Sequence, residues 1–360
     1  MAVDSQAVAL DAHRRLRELA DLVVPLALRA VADARVADAL AGGALPVAQL
    51  AAATGTQADA LARVLRALVA RGAFAEPEPD VFALNPVAEL LLGEHPLSLR
   101  DGYPLMESDL LAWSGLGHAL RTGRPAFDHA HGCGYYDHLA GDDALRARFD
   151  RSVEVQNRLM LRAMLPAYDW ASSGTIVDVA GGTGVFLAGL LAARPALSGV
   201  LFDLPHVVRD APPVLAAAGV AERAQIVGGS FFEELPAGAD TYVLKTVLHD
   251  WGDDDAARIL GVLARAMTPS SRAVVIEALL PAGDAFHLGK LLDVNSLVLV
   301  GGPDRDEPQL RALLAAAGLA TRAVTHTPTL GVIEVALAGD GAQVNAGSAG
   351  SPSRSAPRAA

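Results

Sequence analysis

A histidine, two acids and a cluster of glycines are the residues of this sequence whose types and spacing could do chemistry. His249, in Leu248-His249-Asp250-Trp251, has a side chain whose unperturbed pKa lies near neutral pH, so a neutral imidazole can take a proton as general base. Such a base needs a carboxylate to orient the ring and stabilise the imidazolium. Glu277, at the end of the apolar run Ala273–Ile276, is the first candidate, and Asp304 in Gly301-Gly302-Pro303-Asp304-Arg305-Asp306 is the second. A plainer reading stands beside this one: Asp250 to Asp255 cap a helix starting near Asp254, and His249 is a loop residue. Upstream, the β-branched run Thr175–Val179 ends in Ala180-Gly181-Gly182-Thr183-Gly184 and passes into Val185–Leu191. Strand, glycine turn and helix can bring backbone N–H groups and a positive helix end close to an anionic or nucleotide ligand. A dinucleotide fingerprint would need a glycine where Leu187 stands, so that pattern fails. Ala180 occupies the place of a first glycine, and it fits without strain only if its φ stays negative. Asp203, about twenty positions further on, is placed to accept the two ribose hydroxyls of a nucleoside.

The elements that must position these groups alternate between strand and helix from Thr175 onward. Val200–Phe202, Gln225–Val227, Tyr242–Lys245 and Ala273–Ile276 read as further strands, and two late segments near 320–327 and 331–338 as a closing hairpin. The expected fold is α/β, a doubly wound, mostly parallel Rossmann-like sheet. It would gather Gly181, Gly182, Asp203, Ser230, Lys245, His249 and Glu277 at the carboxyl ends of its strands. Residues 1–97 read differently. Helices over about 16–40, broken at Pro25, and over 46–53 and 59–71, followed by a hairpin at 74–84, make a winged helix after a frayed start at 1–12. Arg63, Arg66 and Arg71 on its second helix invite a DNA-binding reading, but the wing tip carries Glu76, Glu78 and Asp80, which favours a packing or dimerisation module. Residues 98–170 read as a helical insert over the substrate, with a loop from Arg121 to Tyr136 and a long helix over about 144–165. Trp113, Tyr136, Asn157 and Met160 could line a pocket there, or simply pack. The catalytic domain then spans 98–338, and the Gly-, Ser- and Pro-rich segment 339–360 reads as a disordered tail.

Composition narrows the classes. A chain of 360 residues with 52% hydrophobic residues predicts two domains with large cores. A formal charge of −12 argues against nucleic acid or an anionic membrane as the main partner. The single cysteine, Cys133, excludes an internal disulfide and fits a reducing cytoplasm. His129, His131 and Cys133 lack further partners at fixed spacing, so no metal site is expected. Neither a signal peptide nor a membrane-spanning run is legible, which predicts a cytoplasmic protein.

The ordered set V-D-V-A-G-G-T-G, L-F-D-L-P, G-G-S-F-F, Y-V-L-K-T-V-L-H-D-W-G-D-D, V-I-E and G-G-P-D-R-D resembles S-adenosylmethionine-dependent O-methyltransferases that act on small phenolic natural products. Plant caffeate and flavonoid enzymes and bacterial aromatic-polyketide tailoring enzymes are of this type, and the resemblance covers about 15 to 338. It implies a homodimer built through the N-terminal domain, S-adenosylmethionine as cofactor and a phenol as acceptor. It further implies that Gly181 and Gly182 contact the cofactor's amino acid end, Asp203 the ribose, Ser230 and Phe231 the adenine, and Lys245 the region near the sulfonium. Arg146 falls where some members reach the cofactor carboxylate. His249 would be the base with Glu277 and Asp304 flanking it, and Asn295 falls in a segment lining the acceptor pocket. Two residues depart from the pattern: Ser230 stands for the usual acid, and Asp304 for a glutamate one methylene longer. Relatives of the scaffold with hydroxylase, decarboxylase, N-methylating or carboxyl-methylating chemistry, and a winged-helix ligand-responsive regulator, are the alternatives.

Overall fold

A computed structural model describes residues 2–102, 106–327 and 330–339, with the backbone alone for 2–6. The predicted tail beyond Gly339 lies outside the described residues. Helices Ala2–Leu19 and Val23–Asp33 open the chain. The expected frayed start is therefore helical, although the side chains described along it stay in solvent. The break also falls before Pro25 and not at it. Pro25 sits in the first turn of the second helix, where its missing N–H costs no intrahelical bond. Helices Val47–Thr54 and Ala58–Val69 follow, the latter capped by the Gln57 side chain on Ala60 N and burying Leu61, Leu65 and Leu68 at helical spacing. Three short strands, β1 (Leu45–Pro46), β2 (Ala75–Glu78) and β3 (Val81–Ala83), pair in the order β1-β3-β2 and complete the winged helix. Arg66 pairs with Glu76 and Asp80, so the acidic wing tip neutralises a cation of the helix that would face a nucleic acid.

The insert is more helical than its sequence predicts. Ala126–His131 and Tyr135–Ala140, read above as loop, are one-and-a-half-turn helices separated by Gly132 at φ +72°. Segments this short carry too few residues to show a period, and tertiary packing of Phe127, Tyr135 and Leu139 stabilises them. The long helix Asp143–Met164 begins at Asp142, whose side chain accepts from Ala144 N and Leu145 N.

Seven strands form the catalytic sheet: β4 (Thr175–Val179), β5 (Ser198–Asp203), β6 (Ala224–Gly228), β7 (Thr241–Lys245), β8 (Arg272–Glu277), β9 (Leu319–His326) and β10 (Gly331–Leu337). Their order is β6-β5-β4-β7-β8-β10-β9, parallel except for β10, which runs antiparallel to both neighbours. Side chains alternate between two cores: Val177, Tyr242, Leu244, Ala273 and Val275 face one, Ile176, Val243, Val274 and Ile276 the other. Burial on both faces is why these strands read as unbroken apolar runs. The chain order reverses between β4 and β7, and a ligand crevice is expected at their carboxyl ends.

Candidate active site

The β4 tip makes the first half of the site. Gly182 and Gly184 adopt φ of +62° and +82°, and Ala180 lies at +56°, so the condition for a strain-free alanine is not met. An alanine in this left-handed region costs about 1–2 kcal/mol. Behind the turn, a Cβ on Gly181 would run into Leu201 and into the Oδ2 of Asp178, whereas one on Gly182 would meet nothing within 4 Å. The turn is thus packed on its inner side and open on its outer side. Asp203, at the β5 tip, accepts from Gly182 N at 2.8 Å and from Leu204 N at 2.6 Å. Each oxygen keeps a lone pair, so the carboxylate can hold the turn and still receive hydroxyls from the open side. Burial raises its pKa while the two backbone donors pull it down.

The β7 tip makes the second half. Thr246, at φ +51°, reverses the chain in a conformation unfavourable for a β-branched residue. Its N–H is held by Ile276 O at 2.8 Å. Beyond it, Val247 N and Leu248 N both donate to Glu277 Oε1, at 2.9 and 2.7 Å. Arg305 grips the carbonyl side, donating to Leu248 O at 2.8 Å and Trp251 O at 2.9 Å, while Asp253 Oδ1 accepts from its Nε and from a terminal nitrogen. Gly302 lets the segment lie flat against this turn, because a Cβ there would collide with the backbone of His249, Asp250 and Trp251. An acid on the donors and a guanidinium on the acceptors therefore fix the short 3-10 turn Leu248–Asp250 that carries His249. Neither Arg305 nor Gly302 was singled out by sequence reasoning, and the run G-G-P-D-R-D was the signal that could have found both.

The imidazole lies between carboxylates. Its Nδ1 is 3.5 Å from Asp304 Oδ1, longer than a formed hydrogen bond, and neither Asp304 oxygen has another donor. Its Nε2 is 3.4 Å from Asp250 Oδ1. A donor atom of His249, Glu277 and Asp304 each lies within 4.8 Å of the other two. Glu277 thus acts on the backbone of the turn that carries His249, and the ring's nearest acids are Asp250 and Asp304, which corrects the expectation that Glu277 orients the ring itself. From sequence Asp250 reads as a helix cap. Burial pushes the His249 pKa down, but Asp250, Asp304 and Glu277 outweigh it and push the pKa up to about 10. The near-neutral value expected from the free side chain does not hold in the ligand-free protein. Lys245, enclosed at the β7 tip, has its pKa lowered by burial against the pull of Asp178 and Glu277, and its ammonium donates to Thr246 Oγ1 at 3.1 Å.

The remaining predicted residues are distributed around this crevice unevenly. Tyr136 reaches the site: its hydroxyl donates to Asp250 Oδ2 at 2.6 Å. Phe231 packs edge-on to Phe232 and Trp251, and Ser230 Oγ accepts from Phe232 N at 3.3 Å. Arg146 is committed to Asp210 at 2.6 Å and Asp143 at 3.0 Å, so reaching a cofactor would require exchanging those partners. Trp113 packs against a core that the insert shares with the helix Leu288–Leu299, Met160 against the core under the sheet, and Asn157 is buried on the long helix. Asn295 lies half-buried on the helix Leu288–Leu299.

A glycine turn at the tip of β4, an acid at the tip of β5 and a histidine turn beyond β7 stand at the switch point of a Rossmann-like sheet. Residues 113–320 match an O-methyltransferase domain family, and 17–94 its dimerisation domain. The chain is 39% identical over 327 residues, covering 90% of itself and 98% of the relative, to 2,7-dihydroxy-5-methyl-1-naphthoate 7-O-methyltransferase of Streptomyces carzinostaticus. It superposes on the neocarzinostatin-biosynthesis O-methyltransferase NcsB1, crystallised with S-adenosylmethionine and 2-hydroxy-5-methyl naphthoic acid, with a TM-score of 0.77 at 38% identity, covering 89% of this chain and 98% of that one. It is also 35% identical, over 85% of its length and 83% of the relative's, to aclacinomycin 10-hydroxylase RdmB of Streptomyces purpurascens. The chain belongs to the S-adenosylmethionine-dependent O-methyltransferases that tailor aromatic natural products.

Proposed function

We propose that the protein methylates a phenolic hydroxyl of an aromatic, polyketide-type natural product, with His249 as general base. The observation that carries this reading is the imidazole itself, one-quarter exposed in side-chain area and held on the turn beyond β7, the strand that pairs with β4. S-adenosylmethionine supplies a methyl group activated by its sulfonium. Gly181 and Gly182 would hold its amino acid end, Asp203 the ribose, Ser230 and Phe231 the adenine, and Lys245 the edge nearest the sulfonium. The open side of Gly182 and the spare lone pairs of Asp203 fit this assignment. A phenol is only about one part in a thousand ionised at neutral pH, so a base that removes its proton as attack begins is worth ~10²–10⁴-fold. A bound sulfonium nearby would weaken the hold of His249 on its proton and so favour the neutral imidazole that a base requires. Trp113, Tyr136, Asn157, Met160 and Asn295 are proposed on the acceptor side.

We further propose a homodimer through the N-terminal domain. Val8, Leu16 and Leu19 are all more than 60% exposed on one side of the first helix, an apolar stripe that a second copy would cover. No described helix is long and apolar enough to cross a membrane.

Replacing His249 with alanine tests the central claim. With labelled S-adenosylmethionine and a panel of phenols, turnover should fall ~10²–10⁴-fold while cofactor affinity stays within about twofold. Wild-type turnover would remove His249 from the mechanism. Similarity to a hydroxylase keeps a second reading in view, and a hydroxylated product without label would favour it. A carboxylate acceptor is disfavoured because it is already ionised and needs no base.

A further inference from the structure

Tyr136 stands apart from the other residues of the insert because it touches the base's own turn. It lies on the helix Tyr135–Ala140 and is 46% exposed, yet its hydroxyl is 2.6 Å from Asp250 Oδ2 across 114 residues of chain. Among the described residues it is the one group that donates a hydrogen bond to Asp250. The other oxygen of Asp250 is the one facing His249 Nε2 at 3.4 Å. Phenol, carboxylate and imidazole therefore form one line from the insert to the β7 tip. We propose that Tyr136 is a positioning residue, which through its hydrogen bond fixes Asp250 against His249 and so couples the helix over the site to the base. This rests on the reading of His249 as general base.

The electrostatics of the surroundings give the coupling its direction. Burial favours protonated Asp250, while His249 and the Tyr136 hydroxyl hold it ionised. Glu277 and Asp304 also face this cluster, and Arg305 faces it from the carbonyl side. Asp293 lies behind Asp304, which donates its backbone N–H to it at 2.8 Å. On the insert side Tyr135 and Tyr136 both feel the charge of Asp250, and Tyr136 also feels Asp203 from the cofactor half. Lys245 lies beyond Glu277. Among the charges, that of Asp250 pulls hardest on the proton of His249, with Asp304 adding a charge and a hydrogen-bonding contribution. Without the tyrosine hydroxyl, Asp250 carries less charge and is free to turn, and His249 becomes a weaker base. The sign follows: losing the hydroxyl lowers the pH at which His249 gives up its proton.

Tyr136→Phe tests this, because it keeps the ring contacts to Tyr135 and Phe149 and deletes only the donor. The His249 imidazole resonance, assigned by its absence in His249→Ala, is titrated by NMR in the cofactor-free protein. In Tyr136→Phe its midpoint should fall by about half to one pH unit. The acidic limb of the turnover–pH profile should move down by the same half to one pH unit, and Tyr136→Phe should add nothing on top of Asp250→Asn. An unmoved midpoint, or shifts that add independently, would overturn the coupling. Should Asp250→Asn not fold, the titration decides alone. If His249→Ala turns over normally, it is the base assignment that has failed. If His249→Ala is dead and the midpoint is unmoved, only the role of Tyr136 has failed.

Discussion

The two turns at the tips of β4 and β7 solve the same problem with different parts. Each leaves its strand through a non-glycine residue in the left-handed region, Ala180 at +56° and Thr246 at +51°. Each is then held through backbone N–H by a carboxylate from the neighbouring strand's end, Gly182 N by Asp203 and both Val247 N and Leu248 N by Glu277. Asp203 divides its bonds between its two oxygens and stays partly open. Glu277 takes both donors on one oxygen and leaves the other, Oε2, buried without a partner. The difference separates an open turn from a closed one. The first keeps acceptor capacity facing outward. The second is closed by Arg305 and Gly302, which hold the turn that carries His249 in place.

Substitutions at the two carboxylates should divide the comparison cleanly. Glu277→Ala is expected to have the largest effect. It strands two buried N–H groups, each worth about 1–3 kcal/mol, and should lower both the melting temperature and turnover, the latter by ~10³-fold or more. Glu277→Gln, which can still accept both bonds, should recover most of the melting temperature and part of the turnover. If the glutamine variant were no better than alanine, the backbone role of Glu277 would be wrong. Asp203→Ala should act on the other side, weakening cofactor binding by about 10–100-fold in calorimetry while turnover at saturating cofactor changes less. Equal losses in turnover and affinity would mean that the two turns are not independent.

The smallest effect belongs to the backbone. Ala180→Gly relieves left-handed strain of about 1–2 kcal/mol and costs about 0.5–1 kcal/mol in unfolded-state entropy, so a melting-temperature gain equivalent to at most about 1.5 kcal/mol is expected. Thr246→Gly should gain no more, since Thr246 Oγ1 also accepts from Lys245 and donates to Lys245 O. A clear loss of stability in Ala180→Gly would show that the alanine methyl makes packing contacts that outweigh its strain.

The two halves were legible to different degrees for the same reason. The β4 turn announces itself because three glycines and an acid about twenty residues on lie in one local pattern, and strand, turn and helix are all short-range. The helices of 126–131 and 135–140 did not, since their stability comes from contacts with Phe127 and Tyr135 rather than from periodicity. His249, Glu277 and Asp304 could be picked out by residue type and position, but not the way they are used.

By itself the sequence determined the two-domain order, the parallel strands with their doubly buried runs, the glycine turn and the identity of the histidine, because period, residue type and turn chemistry are local properties. Only the tertiary structure decided that Glu277 binds the turn's backbone and not the ring, that Asp304 stops at 3.5 Å, and that Asp250 and Tyr136 stand on the ring's other side. Which oxygen meets which hydrogen depends on how segments 30 to 114 residues apart in the chain are brought to one end of the sheet, and on charges whose influence falls off with distance in space and not along the sequence.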